Sequence, residues 1–176
     1  MESKGCVHIY YGDGKGKTTA ALGLCVRAAG AGLSVLIYQF LKDSSSSECA
    51  VLKNIPGITL IDGVKQAKFT FNMTEQERSE CARNVLQAFY RLTQKAVQEH
   101  YDVVVFDEIL HVIHMNMLPE AAVIDFLSHR PDGMEVVMTG YHPSAALLDM
   151  ADYVSRIVKE KHPFDKKLAA RVGIEK

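Results

Sequence analysis

Three glycines, two lysines and two threonines fall within eight positions, Gly12-Asp13-Gly14-Lys15-Gly16-Lys17-Thr18-Thr19. Glycine tolerates positive φ and close approach, so such a loop can aim successive backbone N–H groups at one anion. Lys17 adds a cation for phosphate oxygens, and Thr18 adds a hydroxyl for Mg²⁺. That is the chemistry of a phosphate-binding loop. The usual spacing sets a glycine five positions before the glycine of Gly-Lys-Thr. Here Tyr11 occupies that position, and the nearest glycine that can open the loop is Gly12. The loop is therefore one residue short, with Gly14 and Lys15 inside it. The plain alternative is a glycine-rich turn carrying a chance Gly-Lys-Thr; the strand before it and the helix after it favour phosphate.

The expected partner of this loop is Val103-Val104-Val105-Phe106-Asp107-Glu108. An apolar strand delivers carboxylates to the edge where a loop-bound Mg²⁺ sits. Glu108 is read as a direct metal ligand and Asp107 as a ligand or as a group behind one. His111 and His114 can share a helix face, but no third metal ligand is visible nearby, so a surface or packing role is favoured. Arg27 lies ten residues after Lys17, near the far end of the helix that Lys17 opens, where a solvated surface role is the ordinary one. Phe69 and Phe71 alternate in a polar stretch and share a side if it is extended; core anchoring and ligand stacking are both open.

The elements that must position these groups alternate between strand-like and helical patterns. Strands are expected at Val7–Tyr11, Ser34–Phe40, Ile58–Ile61, Val103–Phe106, Glu135–Met138 and Tyr153–Val158. Helices are expected from Lys17 to about Ala31, from Glu48 to Asn54, from Thr74 to about His100, from Pro119 to about Ser128, and shortly after Pro143. Thr74-Glu75-Gln76-Glu77 reads as a capping box. Asp62 to Met73 and the segment from Lys159 read as irregular. Continuous apolar strands between helices predict an α/β domain with a mostly parallel sheet covered on both faces. Ligands of such sheets bind beyond the carboxyl ends of the strands, the edge that carries Gly12, Asp107-Glu108 and Thr139-Gly140.

The chain has 176 residues, 48% of them apolar and 23% charged, with a net charge of −1. These values suit one globular domain over 1–176. They give no electrostatic case for nucleic acid or an acidic membrane, and no apolar run approaches the roughly 20 residues that span a bilayer. Cys6, Cys25, Cys49 and Cys81 are scattered and read as reduced packing residues, with a cytoplasmic location expected.

Gly12 to Ala21 resembles the signature of the ATP:corrinoid adenosyltransferases of the CobA/BtuR/CobO type. Arg27, Gln39-Phe40-Leu41-Lys42, Phe69-Thr70-Phe71, Asp107-Glu108, Arg130-Pro131, Thr139-Gly140, Ala151-Asp152, Lys161-His162-Pro163-Phe164-Asp165 and Gly173-Ile174-Glu175 recur in order at family-like spacing. The resemblance covers nearly the whole chain. It implies a three-layer P-loop NTPase-like (RecA-like) fold and transfer of the 5′-deoxyadenosyl group of ATP to Co(I) of a corrinoid, with triphosphate leaving. It implies ATP contacts from Gly12, Asp13, Gly14, Lys15, Gly16, Lys17, Thr18, Thr19 and Arg27, and catalytic roles for Lys17, Thr18 and Glu108. Mg²⁺ or Mn²⁺ would be held at Thr18, Glu108 and Asp107. Phe69 and Phe71 would displace the lower axial ligand of the corrinoid, making Co(II) easier to reduce. A flavoprotein reductant and a homodimer are also implied. Phe71 stands where tryptophan is usual, and Tyr141 where arginine often follows Thr-Gly. Two other readings use the same residues: an NTPase or small-molecule kinase, and a nucleotide- or corrinoid-binding protein without turnover.

Overall fold

Parallel strands buried on both faces must send alternate side chains into two different cores, and the apolar runs of this chain do so. In β2 (Val35–Gln39) and β4 (Val103–Asp107), Val35, Ile37, Val103 and Val105 join one cluster, while Leu36, Tyr38, Val104 and Phe106 join the other. The computed structural model describes residues 4–42, 46–63 and 73–175. Among them lie β1 (Val7–Tyr11), α1 (Lys17–Gly30), β2, α2 (Ser47–Leu52), β3 (Ile58–Ile61), α3 (Glu75–Gln98), β4, α4 (Ile109–His114), α5 (Glu120–His129), β5 (Glu135–Gly140), α6 (Ala145–Met150) and β6 (Tyr153–Arg156).

The six strands pair in the order β3-β2-β4-β5-β1-β6, every ladder parallel. The expectation of a mostly parallel sheet holds. α1 contributes Ala21, Leu22, Cys25 and Ala28 to the smaller core, and α2 contributes Leu52. The larger core takes Val85, Phe89 and Leu92 from α3, Ile109 and Val112 from α4, Val123 and Leu127 from α5, and Leu147 from α6. The result is three layers, helix, sheet, helix. No helix of the described residues is long and apolar enough to cross a membrane. All four cysteines are free; burial pushes the Cys25 thiol up to about 12.

Local chemistry sets the boundaries. The Thr74 hydroxyl accepts from the Glu77 N–H at 3.3 Å and the Glu77 carboxylate from the Thr74 N–H at 2.8 Å, so the capping box opens α3 as expected. Ser144 caps α6 through the Leu147 N–H. Pro119, expected inside the first turn of α5, stands one residue before it. The last strand stops at Arg156, short of the expected Val158, where the chain turns toward the loop after β1. Pro163–Lys166 adds one 3-10 turn to the C-terminal segment. α4 begins directly after Glu108 and is six residues long, too short for its periodicity to announce it.

Candidate active site

The ladder register brings the candidate residues to one edge. Gln39 pairs with Asp107, Phe106 with Met138, and Tyr11 with Gly140, so β1, β2, β4 and β5 end side by side. Gly12 and Gly16, at φ 121° and 118°, turn the loop between β1 and α1. No residue with a side chain holds such angles cheaply. A Cβ at Gly12 would also run into the Ile157 carbonyl oxygen. No side chain caps α1, and its first turn holds no acid. The first-turn N–H groups and the positive end of the helix dipole are thus left for an anion.

Lys17 is almost buried, 7% exposed. Its ammonium donates to the Gly14 carbonyl at 2.9 Å and lies 4.4 Å from the centroid of the Tyr141 ring. Burial lowers its pKa, against the charges of Glu108, Asp13 and Asp107. Thr18, in the next position, turns its hydroxyl to the Asp107 carboxylate at 2.8 Å, a contact across 89 residues of sequence.

Asp107 is completely buried and fully engaged. Its Oδ1 accepts from Thr18 and from the Thr139 hydroxyl at 2.6 Å; its Oδ2 accepts from Gln39 Nε2 at 3.0 Å and Lys42 Nζ at 2.7 Å. Glu108 instead faces a cavity, in left-handed backbone at φ 62°. That conformation costs a residue with a Cβ roughly 1–2 kcal/mol, and the Glu108 N–H is fixed by the Thr139 hydroxyl at 2.9 Å. Burial, then the Asp107 charge, holds the Glu108 carboxyl above the usual glutamate range. Lys42 and Lys17 oppose that rise.

The cavity, about 1060 Å³, has a polar end and an apolar arm. The polar end comprises Asp13 to Thr19, Lys42, Glu108 and Tyr141. The arm is lined by α1 (Leu22, Val26), α2 (Val51, Leu52), Ile55 and the C-terminal segment (Leu168, Ile174). The segment from Lys159, expected to be irregular, is a wall of this cavity. Asp13 accepts from the Lys159 N–H at 3.1 Å, which holds its carboxyl below the usual range, and the Gly14 N–H donates to Ile157. Arg171 and Glu175 form a two-bonded ion pair, with the Glu175 carboxyl down to about 2.

Lys17, Thr18, Asp107 and Glu108 thus converge, with Lys15, Gly16 and Thr19 around them. Arg27 does not join them: it is exposed in the last turn of α1, about 15 Å along the axis from Lys17. Asp13 turns to the C-terminal segment. Phe69 and Phe71 lie outside the described residues. His111 reaches Glu108 at 3.8 Å, and the His114 and His142 rings are 4.8 Å apart. Burial and these two neighbours lower the His111 pKa. Among the described residues no group of three or more His, Cys, Asp or Glu could hold a metal. Roles for Gln39, Lys42 and Tyr141 were not read from the sequence. A polar Gln39 ending a wholly buried strand was the available signal, since a buried amide needs partners.

The family model described as ATP:corrinoid adenosyltransferase BtuR/CobO/CobP matches residues 3–175. The chain is 31% identical to the corrinoid adenosyltransferase of Escherichia coli strain K12, over 99% of this chain and 87% of that one. It is 32% identical to corrinoid adenosyltransferase CobA of Salmonella typhimurium strain LT2, with the same coverage. The KaiC-like protein PH0186 of Pyrococcus horikoshii OT3 shares the fold, with TM-score 0.55 at 16% identity over 90% of this chain and 75% of that one. A short phosphate loop, a carboxylate pair at the end of β4 and a match along the whole chain agree: the chain belongs to the ATP:corrinoid adenosyltransferase family of transferases.

Proposed function

We propose that Lys17, Thr18 and Glu108 carry the adenosyl transfer from one ATP triphosphate bound on the loop of residues 12–19. Co(I) of the corrinoid attacks C5′ of ATP with its electron pair, a cobalt–carbon bond forms, and the C5′–oxygen bond breaks toward the triphosphate. Co(I) is already a potent nucleophile, so the protein has no base to supply. Its tasks are to hold C5′ in line and to stabilise the charge that develops on the departing triphosphate. The first-turn N–H groups of α1 and Lys17 serve that charge. Lys17 would leave the Gly14 carbonyl for a phosphate oxygen, a shift its flexible stem allows.

The donors here, one hydroxyl and two carboxylates, are hard oxygens suited to Mg²⁺ or Mn²⁺ completed by phosphate oxygens. When bound at Thr18 and Glu108, such an ion supplies further charge neutralisation on the triphosphate. The complete burial of Asp107 and its four donors support a positioning role through Thr18. Phe69 and Phe71 are assigned to the corrinoid's lower face, a flavoprotein to its reduction, and a homodimer to the assembly, all on family grounds; a cytoplasmic location follows the same grounds.

What carries this reading is the convergence of Lys17, Thr18 and Glu108 on one cavity. The test is to mix the protein with Mg-ATP and chemically reduced cobalamin and identify the products. Adenosylcobalamin and triphosphate in equal amounts are expected, and Lys17→Ala should remove both. ADP formed without corrinoid would refute the reading.

A further inference from the structure

Thr18 Oγ1, assigned to the metal, and the Asp107 carboxylate behind it already have a cation. Lys42 Nζ lies 2.7 Å from Asp107 Oδ2 and 3.3 Å from Thr18 Oγ1. The Thr18 proton is committed to Asp107 Oδ1, so the ammonium donates to the lone pairs of Thr18 that a metal would use. The other donors to Asp107 (Thr18, Thr139 and Gln39) are neutral. Lys17 is turned to Gly14 and Tyr141. Among the described residues, the one positive charge in contact with this buried carboxylate is Lys42, and a buried carboxylate stripped of its counter-charge is strongly destabilising.

We propose that Lys42 is the resident cation of the nucleotide-free site, and that the divalent metal enters by displacing it toward the triphosphate. This rests on the metal reading given above. The two partners differ in their freedom to part: the Lys42 side chain is 29% exposed and Asp107 is 0% exposed. Lys42 also lines the cavity at its polar end, so its stem can carry the ammonium to a phosphate oxygen while Asp107 stays in place. Asp107 then has a positive neighbour in both states. The exchange also explains why metal and nucleotide should bind together. A metal arriving alone evicts Lys42 with no anion to receive it, whereas a metal arriving with triphosphate gives Lys42 a new partner. Lys42 is on this view a positioning residue that sets metal affinity.

The test titrates Mn²⁺ alone into the nucleotide-free protein, read by electron paramagnetic resonance, for the wild type, Lys42→Met, Lys42→Arg and Thr18→Val. Lys42→Met should bind Mn²⁺ about tenfold more tightly, the factor equivalent to losing one competing charge-assisted hydrogen bond. Lys42→Arg should resemble the wild type, and Thr18→Val should weaken binding. Unchanged or weaker Mn²⁺ binding by Lys42→Met, with Thr18→Val still weakening it, overturns the displacement alone. Binding that ignores Thr18→Val overturns the metal reading and the displacement with it. Should Lys42→Met fail to fold, reductive methylation of the wild type followed by mass spectrometry gives the same answer. Lys42 should react faster when Mn²⁺ is present, and an unchanged rate overturns the proposal.

Discussion

Thr139→Val isolates the small hydroxyl on which both carboxylates depend. Thr139 is fully buried on β5; its Oγ1 donates to Asp107 at 2.6 Å and accepts the Glu108 N–H at 2.9 Å. Valine keeps the shape and removes both bonds. A hydrogen bond to a charged group contributes about 1.5–3 kcal/mol, and a stranded buried N–H costs about 1–3 kcal/mol. The two overlap because both report on one oxygen, so we expect a loss of about 3 kcal/mol. In a chain of this size each 1 kcal/mol moves the melting temperature by roughly 2–4 °C, giving a fall of about 6–12 °C. Thr139→Ser keeps the oxygen and loses one methyl, worth about 1 kcal/mol, so it should recover most of the difference. Circular dichroism melting of the three proteins at one pH is the assay, with turnover measured alongside. Turnover should fall further than stability explains, since Glu108 loses the anchor of its left-handed backbone. A valine variant within about 2 °C of the wild type, or a serine variant as poor as valine, would refute the reasoning.

Gly12→Ala forces a Cβ into the Ile157 carbonyl at φ 121°, so nucleotide affinity should collapse, checked by calorimetric titration with tripolyphosphate. For Glu108, the raised carboxyl means the folded protein keeps a proton that the unfolded chain has released. Stability therefore falls as pH rises from the ordinary glutamate pKa through the folded one. Glu108→Gln should melt higher than the wild type at neutral pH and equal to it in acid below the ordinary glutamate range, while losing turnover; a lower neutral melting point would contradict this. Phe71→Ala should slow the reaction started from Co(II) more than that from pre-reduced Co(I), and equal losses in the two stopped assays would argue against displacement of the axial ligand.

The parts of this molecule that were legible in advance are those governed by local rules. The strand cores are β-rich apolar runs, and the Thr74–Glu77 box is a four-residue pattern with its own hydrogen bonds. The phosphate loop is read from glycine and lysine spacing alone. What could not be read depends on which strands become neighbours. Thr139 meets Asp107 because β4 and β5 pair, and Lys42 meets it because β2 and β4 pair. Neither contact leaves a trace in the spacing of residues along the chain. α4 escaped for another reason: six residues at the mouth of a strand are held by tertiary burial of Ile109, Leu110 and Val112 rather than by periodicity. Arg27 shows the opposite limit, since a family-like position does not bring an exposed side chain at a helix's far end to its near end.

The place of β1 in the sheet also dictates when the phosphate loop can exist. β1 is synthesised before β2, β3 and β4, yet its two ladder partners are β5 and β6, which follow them in the chain. The intervening strands β2, β3 and β4 pair with one another without it. During synthesis, at about 5–20 residues per second, this apolar strand waits without a sheet neighbour while the outer half assembles. The loop that follows it takes its final hydrogen bonds only when Gly140 and Ile157 have emerged. A strand made before β2, β3 and β4 is thus paired after them, and the loop of residues 12–19 is completed late in folding.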